Sequence, residues 1–140
     1  MENELNIEFI KNQNMDFAII LRREFQKEGI HFFTPDDSTQ QLGYMKHPAG
    51  KKIVPHFHNP VERLVSVTQE ALILKSGVLR VNFYTEDNKY YTDRILRAGD
   101  IILLRGGGHG FEVIEDVEII EVKQGPYAGD ADKTQFDPIC

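Results

Sequence analysis

The sequence predicts an all-β sandwich or barrel formed by one domain. Two observations carry this. Short runs of Val, Ile, Leu, Phe and Tyr alternate with polar residues from Gln40 onward. Turn signals recur between those runs about every eight to twelve residues, the spacing of short antiparallel strands. No internal repeat or low-complexity segment interrupts the pattern.

Residues 1–16 are polar with scattered apolar positions and read as an N-terminal arm. Phe17-Ala-Ile-Ile-Leu21 is a short apolar run. With Phe25 it also fits one face of a helix, but Gly29 followed by Ile30-His-Phe-Phe33 reads as a turn into a second strand, which favours strand for both. Pro35-Asp-Asp-Ser38 is a loop. Gln41 to Met45 is the next strand, closed by the turn His47-Pro-Ala-Gly50. Lys52 to His58 follows and ends at Asn59-Pro60, and Leu64 to Val67 is short and β-prone. Ser76-Gly77 reads as a tight turn between strands Ala71–Lys75 and Val78–Tyr84. Glu86 to Lys89 turns into Tyr90–Arg97, and Ala98-Gly-Asp100 turns into Ile101–Leu104. Phe111–Glu115 and Val117–Lys123 come last, broken at Asp116. The motif-bearing barrel thus spans about residues 40–123, and residues 124–140 form a C-terminal tail. The expected total is nine or ten strands.

The 140 residues suffice for one core without disulfides. The formal net charge of −6 disfavours nucleic acid and anionic membranes as partners. The single cysteine, Cys140, permits no internal disulfide, fits a reducing cytoplasm, and sits at a chain end unsuited to catalysis. Met1-Glu-Asn-Glu-Leu-Asn6 lacks the basic and apolar parts of a signal peptide, and no run of about 20 apolar residues is present.

The chemistry centres on His56-Phe-His58. On a strand, residues two apart share a face, so both imidazoles converge and form half of a metal site. Glu70, leading into Ala71–Leu74, and His109, after Gly106-Gly107-Gly108, offer the other half. Three imidazoles and one carboxylate suit iron or zinc, and also manganese, nickel, cobalt or copper. An octahedral ion so held keeps two positions open.

These residues resemble the two motifs of the cupin superfamily. The first reads G-x5-H-x-H with a later glutamate and x6-G. Here five residues separate Gly50 from His56, with His58 two further on, and six separate Glu70 from Gly77. The second reads G-x5-P-x-G-x-x-H. Here Gly99 is followed by five residues and then by Arg105-Gly-Gly-Gly-His109. Three departures stand out. Eleven residues separate His58 from Glu70, where the family has three or four. Glu62 lies at the shorter spacing and competes as ligand, or serves as a general base if it is not one. Arg105 replaces the proline, and His109 arrives one residue early, through a tighter glycine turn.

The resemblance implies a jelly-roll barrel, one divalent ion on His56, His58, Glu70 and His109, and a homodimer. It implies an enzyme acting on a small polar metabolite, anionic or sugar-derived. The alternative is a binding or sensing module without turnover. A metal-free epimerase of the same superfamily fits the histidine pattern less well. Arg105, Tyr44 and Lys52 are candidate substrate contacts, with Gln41, Arg80 and Arg97 behind them. His31 and His47 are expected to be structural or solvated.

Overall fold

A computed structural model describes residues 4–139. Cys140 and the first three residues of the expected arm lie outside the described residues. The fold is all-β, with eight strands among the described residues. The chain forms two compact units. One comprises residues up to Phe25 together with those from Thr68 onward; the other is Gln26–Val67.

The larger unit is a strongly curled antiparallel sheet that makes a half-barrel. Its strands are β1 (Ile7–Lys11), β2 (Asp16–Leu21), β5 (Glu70–Tyr84), β6 (Tyr90–Arg97), β7 (Ile101–Leu104) and β8 (Gly108–Lys123). The smaller unit contributes β3 (Gly29–Phe32) and β4 (Gly43–Lys46), paired antiparallel.

The sheet is organised around β5, which is 15 residues long. One edge of β5 pairs with β8 along nearly its whole length. The other edge changes partner: Glu70–Ile73 pair with β7, and Val78–Tyr84 pair with β6. The register against β8 shifts between Leu74 and Leu79. Such bulges bend a strand and increase its twist, which curls the sheet where the partner changes. The turn at Ala98–Asp100 docks there: Gly99 N–H donates to Leu74 O at 2.7 Å, and Leu74 N–H donates to Asp100 O at 3.0 Å.

Ser76-Gly77 is therefore a bulge inside one strand, not a turn between two. β8 likewise runs through Asp116 without a break. The expected N-terminal arm also holds a strand. Ile7 and Ile10 are buried as β1 pairs with β2, an edge pairing supplied by a distant run.

The core lies on one face of the curled sheet. Phe17, Ile20, Leu72, Leu74, Leu79, Val81, Phe83, Leu96 and Ile102 are almost wholly buried. Burying each side chain of this size contributes about 1.5–3 kcal/mol. In β5 the buried positions alternate, then shift by one across the bulge, so Leu79, Val81 and Phe83 stay on the face begun by Leu72 and Leu74.

In the smaller unit, residues 51–66 have no regular secondary structure. The strands expected at Lys52–His58 and Leu64–Val67 are not formed. Pro55 interrupts the first of these stretches, removing a backbone donor from any ladder there, and Pro60 follows it. Among the described residues, no helix is long and apolar enough to cross a membrane.

Candidate functional site

Glu70 opens β5 and His109 lies near the start of β8. They are far apart in sequence, yet the curl of the sheet brings His109 Nε2 to 4.0 Å from Glu70 Oε2. Strand register explains the shared face. Glu70 and Leu72 lie opposite Lys123 and Glu121, and Phe83 lies opposite His109. Directly opposed residues project to the same side. Glu70, Glu121 and His109 therefore project to the face that carries Leu72 and Phe83.

The tight glycine approach to His109 is present. Gly107 has φ +71°, and a Cβ there would sit 2.5 Å from the Phe17 ring. Only glycine gives both the backbone conformation and the room. The His109 ring then lies 5.4 Å from that of Phe111.

Burial lowers the His109 pKa below the ordinary histidine value, with the Glu121 charge opposing that shift. The imidazole is held neutral, with a lone pair free to bind. Burial raises the Glu70 pKa, and a side-chain hydrogen bond with Glu121 raises it further, while Lys123 opposes. Glu70 thus holds its proton more tightly than an ordinary carboxyl group.

His56 and His58 belong to the smaller unit. No strand aligns them, yet their rings lie edge to face with centroids 5.1 Å apart. His56 Nδ1 lies 2.9 Å from the Val54 carbonyl oxygen. A proton on Nδ1 donated to that carbonyl leaves Nε2 as the free donor atom, the arrangement metal-binding histidines use. Both side chains are exposed.

The expected four ligands thus appear as two pairs, each within its own unit. Among the described residues, no three His, Cys, Asp or Glu side chains gather to hold one ion. Chemically, each pair fits a metal: a neutral imidazole with a carboxylate in one, two imidazoles in the other.

The remaining candidates divide by surroundings. Glu62 and Lys52 are exposed on the segment without regular structure. Tyr44 lies on β4 opposite His31. Arg105 is mostly buried, and its Nη1 lies 3.4 Å from Asp16 Oδ2, so it ties the end of β7 to β2. Arg80 pairs with Glu112 at 3.0 Å. Gln41 closes its own loop, its amide donating to the Pro35 and Ser38 carbonyls at 2.9 Å. His31 Nε2 lies 2.6 Å from the Glu28 carbonyl oxygen, a structural tie.

Glu121 is the residue that sequence reasoning missed. Alternation within Val117–Lys123 places it with Ile119 and Lys123, but only the β5–β8 register puts that face beside Glu70.

Comparison of the chain with protein-family models, curated proteins and solved structures finds no match.

Proposed function

We propose that the chain is a mononuclear metal protein of the cupin type, working in the cytoplasm on a small anionic or sugar-derived metabolite. His56, His58, Glu70 and His109 hold the ion in this reading. One observation carries it: the neutral imidazole of His109 lies 4.0 Å from the Glu70 carboxylate on the inner face of a curled sheet. His56, with Nδ1 at the Val54 carbonyl, likewise keeps Nε2 available as a donor atom. A bound divalent ion, iron or zinc before manganese, nickel, cobalt or copper, supplies Lewis acidity toward a substrate oxygen.

The residues of the chain supply the rest. Glu70 provides the negative charge of the ligand set. Glu121, hydrogen-bonded to Glu70 but outside that set, is the group placed to exchange a proton with a bound substrate. This favours an enzyme over a passive binding module.

The same reading pairs two copies of the chain. Among the described residues β8 pairs with β5 alone, and it exposes Phe111, Val113, Ile119, Ile120 and Val122. A long apolar edge strand of this kind calls for a cover.

Substitution separates the roles. Glu70→Gln lowers metal content, measured by elemental analysis of the purified protein, whereas Glu62→Gln leaves it unchanged. Glu121→Gln keeps the metal and loses turnover of the small acids and sugar phosphates the wild type accepts. Loss of metal in Glu62→Gln but not in Glu70→Gln would assign the carboxylate ligand to Glu62. Unchanged turnover in Glu121→Gln would remove the acid–base role.

A further inference from the structure

A polar cleft lies in the larger unit, lined by none of the residues proposed to hold metal. Its volume is about 740 Å³, within the range small-molecule sites occupy. Arg22, Arg23, Glu24, Arg97 and Asp100 give it its charge, and Val78, Ile95 and Ala98 give it an apolar side.

One buried carboxylate organises the arginines. Asp100 is 4% exposed. Its Oδ1 accepts from the Arg23 backbone N–H at 2.9 Å, and its Oδ2 accepts from the Arg97 backbone N–H at 2.8 Å. The Arg22 guanidinium answers the charge of Asp100 at 3.0 Å and that of Glu8 at 2.6 Å. The negative charge of Asp100 is therefore met internally, while its two oxygens fix the backbones of Arg23 and Arg97.

The guanidinium groups of Arg23 and Arg97 have no ion-pair partner among the described residues. The stem of Arg23 lies across Gly99, where a Cβ would come within 2.8 Å of Arg23 Cδ. Two cations thus line one cleft, with Glu24 the one lining carboxylate not engaged by Arg22. Three arginines against two carboxylates leave the lining with one excess positive charge, in a chain with net charge −6.

We infer that the cleft binds a phosphate-type oxyanion, inorganic phosphate or the phosphate end of a small metabolite, between Arg23 and Arg97. Planar guanidinium groups meet phosphate oxygens through paired N–H donors, so Arg23 and Arg97 can each make charge-assisted contacts to one phosphate group. The apolar side at Val78, Ile95 and Ala98 suits the uncharged remainder of such a metabolite. Because the overall field of the protein repels anions, binding depends on these short contacts and weakens with salt.

The test is a titration of metal-stripped protein with inorganic phosphate, at constant ionic strength against chloride, followed by amide nitrogen–proton spectra. Removing metal makes the outcome independent of the proposed metal centre. Saturable shifts are expected at Asn6, Gly77, Arg97 and Ala98. Arg23→Ala and Arg97→Ala should each weaken binding about tenfold, the loss of one charge-assisted contact. Arg80→Ala, which removes an arginine outside the cleft, should leave it unchanged. The wild-type titration stands whatever a variant does to folding. Shifts that do not saturate, shifts clustered around His109, or equal weakening by Arg80→Ala would overturn the inference.

Discussion

Gly77→Ala should be among the most destabilising single-methyl additions in this protein. Gly77 has φ +88°, and its Cβ would sit 2.0 Å from the Asp116 backbone oxygen and 2.9 Å from Val117 Cα. Both belong to β8, so no side chain can swing aside. Ordinary contact begins at 3.4 Å, so the β5–β8 ladder must part by more than an ångström. The left-handed backbone costs about 1–2 kcal/mol for alanine. Overpacking against a fixed neighbour adds about 1–3 kcal/mol. Gly99→Ala isolates the first of these costs. Its φ is +92°, but its Cβ meets only the flexible stem of Arg23. Gly99→Ala should therefore cost about 1–2 kcal/mol, and Gly77→Ala about 2 kcal/mol more. Urea unfolding followed by circular dichroism measures both. Amide exchange should also quicken along β8 in Gly77→Ala alone. If the two variants agree within about 0.5 kcal/mol, a difference typical of neutral substitutions, the close approach of β8 at the bulge is refuted.

Asp100→Ala should cost about 2–4 kcal/mol, because it removes the acceptor of two partly buried backbone donors and one of the two carboxylates that meet the Arg22 guanidinium; an unfolding midpoint equal to wild type would contradict this. In metal-free protein, pH should act with opposite signs on the two inner carboxylate and imidazole groups. The raised pKa of Glu70 means stability falls as pH rises through 4.5 toward the folded value, because the folded state holds the extra proton. The lowered pKa of His109 means stability falls as pH drops below 6.5 toward its folded value, because there the unfolded state binds the extra proton. Glu70→Gln should remove the first slope and His109→Asn the second; urea unfolding curves across pH that keep both slopes would refute the assignment. Light scattering at micromolar concentration should give twice the chain mass of 16.1 kDa, and a monomer mass would remove the proposed pairing through β8.

The strands were legible where alternation was strong. Tyr90–Arg97 and Ile101–Leu104 fall at the expected positions because polar turns bound them on both sides. Ser76-Gly77 misled because a glycine with positive φ serves a hairpin turn and a bulge alike; only pairing with β7, β6 and β8 distinguishes them. β1 was hidden for a similar reason. Ile7 and Ile10 look scattered until β2 lies beside them.

The candidate site was legible in part. Glu70 and His109 were singled out by spacing, and the fold brings their side chains to 4.0 Å of each other. Glu121 was not, because its relation to Glu70 is a cross-strand diagonal. Arg105 looked available for substrate because it stands four residues before His109, but sequence proximity does not reveal Asp16, which meets its charge. His56 and His58 do lie side by side, though not through the strand that alternation implied.

X-ray absorption at the edge of the metal found in the purified protein bears on the proposed four-residue metal centre without reference to turnover. The expected shell is one first-row divalent metal with three imidazole nitrogens and one carboxylate oxygen, with one imidazole lost in His58→Ala and another in His109→Ala. A shell with no more than one imidazole, or stoichiometric metal undisturbed in the double variant, would contradict it.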